Sequence, residues 1–297
     1  MRSLAAFTMR GRFQALAAIC GLAFASLLFP PLSLLSSAML ALVALRQGFK
    51  ESAWVLLISL PVLGVGGALT GGAWQAVFYG VLLWLPIWPI AVVLRATRRL
   101  EWAMEAALGL GLAAVLGVYL LVDEPAALWR DRLQGLLRPM LENAPASFDS
   151  AKLTQALEFF SHYMTGAAAG GSVMSVILAL LIARWQQAVL YNPGGFRSEF
   201  VALRLHTAVA YAALACLAAG SIGGSWAELA WNLGIVFFLV FAIAGFAIFH
   251  ATLGGKGFWL AGIYVALLFM PQLLLPPIAL IGFSDTWLDW RKYAKRL

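Results

Sequence analysis

An all-α, polytopic transmembrane helical bundle of about 8–10 membrane segments, with an extra-cytoplasmic helical loop, is expected for this chain. Its 297 residues are 63% hydrophobic and only 11% charged, and the mean hydropathy is +0.89. Long apolar runs recur at 13–45, 53–69, 74–94, 103–122, 166–183, 207–222, 229–249 and 258–283. A helix rises about 1.5 Å per residue, so roughly 20 apolar residues cross the hydrocarbon layer. The runs lack the polar–apolar alternation of barrel strands, and lipid offers no partner to open backbone, so they are read as helices.

In chain order, Arg2, Arg10 and Arg12 precede an apolar run containing Ala23, Phe24 and Ala25, which has the parts of a signal peptide. Apolar sequence continues past that point, so a retained first helix is expected. Pro30 and Pro31 split the run 13–45 into a hairpin of two short helices. Ala17, Gly21 and Ala25 form a four-spaced row of small residues, a candidate helix-packing or docking surface. Gly109, Ala113 and Gly117 form a second row, and Ala167, Gly171 and Ser175 a third. Glu105 is expected near Arg98 or Arg99 at the interface, and Asn232, near the start of its helix, as a packing hydrogen bond. His206 and His250 read as satisfied residues at helix ends.

The connection 123–165 carries six acids against four bases. It is expected outside the cytoplasm, with an amphipathic surface helix over 125–141 and a second helix capped by Ser147 or Asp149. The last run contains Pro271, Pro276 and Pro277. A break there gives an even number of segments and returns the basic tail to the side of the N-terminus. The whole chain, 1–297, is read as one integral membrane domain: N-terminal helices over 13–122, the outer loop over 123–165, and C-terminal helices with a basic tail over 166–297.

The net charge of +7 is carried largely by short connections: Arg46 and Lys50; Arg95, Arg98 and Arg99; Arg184, Arg197 and Arg204; Arg291, Lys292, Lys295 and Arg296. That is the positive-inside pattern. It points to a membrane protein with both termini cytoplasmic, in contact with the bilayer, and not to nucleic acid. No enzyme is expected. The residues 254–257 resemble a phosphate loop only faintly, because position 250 is His and no Ser or Thr follows Lys256. Cys20 and Cys216 both lie in apolar runs. No catalytic group, metal site or cofactor is assigned.

Two cytoplasmic stretches stand out. Around one turn lie Arg184, Trp185, Tyr191, Asn192, Pro193, Gly194, Gly195 and Arg197; the tail holds Asp285, Trp287, Asp289 and Arg291. Pairing of Asp285 or Asp289 with Arg184 or Arg197 would make them a clasp or a partner surface. The residues 183–205 and 281–293 also resemble the signature regions of the YybS-like predicted bacterial membrane proteins, with Gly282, Asp285 and Arg291 matching a Gly-x-x-Asp-x-x-x-x-x-Arg ending. That family is remotely similar to the S-components of energy-coupling-factor transporters. The resemblance implies a substrate-binding bundle for a small molecule, working with an ATPase or transmembrane coupling module, for which Ala17, Gly21 and Ala25 would be the docking row. In that reading the outer loop is a lid, and Trp74, Tyr79, Trp84 and Tyr119 are candidates to line an outward cavity. The alternative is a non-transporting scaffold that recruits envelope proteins through its cytoplasmic loops.

Overall fold

The structure, a computed structural model, describes residues 2–69, 71–142, 150–224, 226–254 and 257–294. Among these residues every regular element is a helix. The two proposed cap residues Ser147 and Asp149, with Lys256, Lys295 and Arg296, lie outside them.

After a short helix α1 (Arg2–Thr8), α2 (Arg12–Ala25) and α3 (Leu32–Gln47) form the expected hairpin across Pro30 and Pro31. Ser26 closes α2: its N–H donates to Leu22 O, and its hydroxyl lies 2.6 Å from that of Tyr79. α3 is the centre of the molecule. Every residue from 38 to 44 is completely buried, so this helix is apolar on all sides rather than striped. It packs against α1 and α2 and against α4 (Phe49–Ala68), α5 (Ala73–Trp84), α6 (Ile87–Thr97) and α10 (Met164–Tyr191). α5 and α6 are one apolar segment broken at Leu85 and Pro86. The break seats Trp84 in the core, where its indole Nε1 donates to Ser36 Oγ of α3.

α7 (Leu100–Leu121) leads to α8 (Pro125–Glu142) and α9 (Ser150–Ser161), the two helices of the long connection before α10. A short α11 (Gly195–Val201) follows, then α12 (Thr207–Ile222), α13 (Ala227–Leu253), α14 (Gly257–Phe269), α15 (Pro271–Leu288) and α16 (Trp290–Ala294). The run 258–283 is therefore two helices, separated at Met270. Among the described residues five segments are long and apolar enough to cross a membrane: α4, α5 with α6, α7, α10 and α13; α2, α3, α12 and α14 are shorter apolar helices. Apolar side chains such as Leu28, Leu120, Phe258 and Leu268 are exposed on the outside of the bundle, as lipid contact requires.

The glycines that admit close packing are not those of the three expected rows. Ala17 and Gly21 are exposed on α2, and Gly109, Ala113, Ala167, Gly171 and Ser175 are exposed as well. A Cβ added at Gly21, Gly109, Gly117 or Gly171 would meet nothing within 4 Å. Four-residue spacing marks one face of a helix, but here those faces point outward. The closest backbone approach is between α13 and α15: a Cβ on Gly245 would lie 2.0 Å from Ile278 O, and one on Gly282 2.0 Å from Phe241 O. Backbone meets backbone there, which is the packing on which helix association in lipid depends.

Candidate functional site

At the basic end the turn 192–195 is built as its residues dictate. Pro193 sits at the second position, Gly194 follows with φ +88°, and Gly195 N–H donates to Asn192 O at 3.1 Å. This is the geometry of a type II turn. It turns α11 back toward α10, so that the Arg184 guanidinium grips both carboxylate oxygens of Glu199. Arg184 is thus satisfied locally and does not reach the tail. Arg197 is exposed and donates to Gly254 O at the end of α13.

The two stretches are joined, but by other groups than the expected pairs. Arg204 donates from Nε to Asp285 O at 2.8 Å and from Nη2 to Thr286 O at 3.1 Å. Those are carbonyls of the last turn of α15, where helix carbonyls run short of backbone partners; Asp285 O has only a long bond from Asp289 N–H, at 3.4 Å. Arg291 returns the exchange, donating from Nε to Val201 O at 2.7 Å and from Nη2 to Leu203 O. Asp285, with its side chain 2% exposed, accepts from Arg291 and from Trp290 N–H. Asp289 closes α15 in the left-handed region (φ 48°) and accepts from Lys292, whose ammonium, with Arg204 and Arg291, holds the carboxyl below the usual aspartate range. Trp287 stacks edge-on against Tyr211 and Phe283, while Trp185 and Tyr191 remain exposed. The clasp is a reciprocal capping of helix ends. Arg204 and Leu203 were legible only as a basic loop, because a carbonyl at a helix end leaves no mark in a sequence.

The same logic runs through Glu105, which reaches across to α12, not to Arg98 or Arg99. Its carboxylate accepts from His206 N–H at 2.8 Å and faces the imidazole Nδ1 at the same distance. His250 Nε2 lies 2.7 Å from the Tyr264 hydroxyl.

At the opposite end a polar knot ties α7, α10 and α13. Tyr119 donates to Glu228 Oε1 at 2.6 Å, and His162 Nδ1 lies 2.5 Å from Glu228 Oε2. Asn232, fully buried, accepts from Gly166 N–H and has its amide nitrogen within 2.9 Å of Tyr119 Oη, His162 O and Glu228 O. Every polar atom of this amide has a partner. Asn232→Leu is expected to cost about 1–3 kcal/mol by leaving those partners unpaired in a buried place. A thermal melt of the purified protein equal to the parent's would show that the knot is dispensable.

Beside the knot lies a groove of about 720 Å³ between α6, α7 and α10. Pro86 and Pro89 at the helix break indent one wall; Ala113 and Ala114 on α7 and Ala168 and Ser172 on α10 leave the others low. Trp129 of α8 closes one end, its indole donating to Thr165 Oγ1 at 2.9 Å. Arg130 ties α8 to α9 through Glu158 at 2.6 Å. Of the aromatic residues expected to line a cavity, none lines this groove: Trp74 is exposed, Tyr79 bonds Ser26, Trp84 is core and Tyr119 belongs to the knot.

The family described as "Predicted membrane protein (DUF2232)" matches residues 135–286, just over half of the chain. The chain belongs to this family. It is accordingly a multi-pass membrane protein. The DUF2232 match takes in Arg184, Glu199, Arg204, Asp285, Glu228 and Asn232, and so both the greater part of the clasp and much of the knot. No curated protein and no solved structure matches it.

Proposed function

We propose that the protein is a non-enzymatic inner-membrane binding protein that holds an apolar small molecule in the groove beside α7 and α10. In this reading the α8–α9 connection is an outer lid and both termini are cytoplasmic. The groove carries the proposal. Its volume lies within the range of small-ligand pockets, roughly 300–1,000 Å³, and its wall is almost wholly apolar. The polar atoms nearest it are engaged: Trp88 Nε1 with Ser52, Trp129 Nε1 with Thr165 and Ser172 Oγ with Ala168 O. An occupant would therefore be held by burial of apolar surface more than by hydrogen bonds. The basic connections support the orientation through the positive-inside rule.

The likeness to YybS-like proteins, and through them to S-components, supports a place in a transport system whose ATPase lies on another chain. Ala17, Gly21 and Ala25 on the outer side of α2 are the face such a coupling module would meet. Native mass spectrometry of gently extracted protein tests the reading. A bound small-molecule mass, absent from an Ala168→Trp variant that melts at the parent's temperature, is the expected result. Bilayer phospholipid alone, equally present in the variant, would discard it. The scaffold reading would then be preferred, since Trp185, Tyr191, Trp287 and Trp290 stand exposed at the basic end for envelope partners.

A further inference from the structure

We infer that a second hollow, at the basic end, binds a phosphate-bearing anion. It measures about 530 Å³ and is lined by Arg46, Arg95, Arg98 and Arg184, with Tyr191, Asn192 and Glu199 among its other walls. The four arginines come from three helices, Arg46 and Arg95 from the last turns of α3 and α6, Arg98 from the cap of α6 and Arg184 from about two turns inside α10, and the fold brings them to one concavity. Positive-inside topology explains arginines in each connection but not their convergence.

Glu199 is the acidic residue of the lining, and it is already held by Arg184. That pair cancels and leaves three unneutralised guanidinium groups. Arg95 donates to Leu45 O from Nη1 at 2.7 Å, which fixes the side chain, and its other donors have no hydrogen bond among the described residues. Arg46 lies 4.1 Å over the Tyr191 ring, so the aromatic face orients it without using its N–H groups. Arg98 ends α6 in the left-handed region (φ 55°), and its side chain has no hydrogen bond or ion pair among the described residues. Glu51 and Glu101, the acids of the neighbouring helix starts, are engaged with Arg12 and Arg99. Three guanidinium groups without a counter-charge, two of them held in place, repel one another, and a phosphate group offsets that repulsion while accepting paired N–H bonds from each. Basic pockets between membrane helices hold anionic lipid head groups by this chemistry; a soluble phosphate compound would present the same group.

The test uses full-length protein in detergent, titrated in parallel with phosphatidylglycerol, with phosphatidylcholine and with inorganic pyrophosphate. Binding is followed by native mass spectrometry and by the shift in melting temperature. Saturable binding of phosphatidylglycerol over phosphatidylcholine places the phosphate on a lipid; saturable binding of pyrophosphate places it on a soluble ligand. In either case the Arg46→Gln, Arg98→Gln double variant should bind at least about tenfold more weakly. Gln187→Glu, which adds a negative charge to the lining and leaves every arginine in place, should also weaken binding and guards against misfolding of the double variant. No saturable binding by either probe, or affinities unchanged in both variants, would overturn the assignment.

Discussion

Gly282→Ala is expected to destabilise the protein by about 3 kcal/mol, near the upper end of overpacking costs, since the obstacle is backbone and cannot rotate away. The new methyl would lie 2.0 Å from Phe241 O and 2.6 Å from Gly245 N. α13 and α15 would have to part by more than 1 Å, loosening Phe241 from Phe283, whose rings now meet edge-on at 5.2 Å. For a chain of this size the melting temperature should fall by roughly 6–12 °C. Gly21→Ala is the matched control: nothing lies within 4 Å of the added atom, and alanine is the better helix former by about 0.5–1 kcal/mol. If both variants melt alike, α13 and α15 are not in backbone contact.

Asp285→Ala is the second large effect, expected at about 3–5 kcal/mol, because it leaves the mostly buried Arg291 guanidinium without its counter-charge. Arg291→Ala should also destabilise, since Val201 O and Leu203 O lose their donor. The double variant should then fall well short of the sum of the two, as residues in one network couple. Arg197→Ala, whose side chain is exposed and makes one bond to Gly254 O, should stay within about 0.5 kcal/mol. Additivity at Asp285 and Arg291, read from melts in detergent, would dissolve the clasp into unrelated contacts.

The helices and their interruptions were legible because they follow from local chemistry. Pro30 and Pro31 cannot continue α2, and Pro271 begins α15 where its missing N–H costs nothing. The turn at Asn192 and the join between loop and tail were legible for the same reason: unusual residues crowded where apolar ones were expected. The partners were not. Asp285 was expected to seek Arg184 or Arg197, but Arg184 met Glu199 fifteen residues on, and the tail was claimed by Arg204. Opposite charges can be counted in a sequence, whereas free carbonyls at helix ends compete for the same arginines unseen. The small-residue rows failed differently, since spacing defines a face and says nothing of what that face meets. The groove is made by what its walls lack, and Ala113 reads alike whether it packs or recedes.

The burial of α3 on all sides bears on how the protein is made. This helix of 16 residues, roughly 24 Å long, leaves the ribosome before most of the helices that pack against it. α4, α6 and α10, which enclose it in the finished molecule, follow later. During that interval its flanks rest against acyl chains, and its serines tolerate this unequally. Ser36 already has Ile19 O of α2 to bond, whereas Ser37 waits for Leu83 O and meanwhile can turn to its own helix. Biogenesis is thus an order of closing: the helices around α3 stay unfinished until α10, more than a hundred residues downstream, seals its last open side.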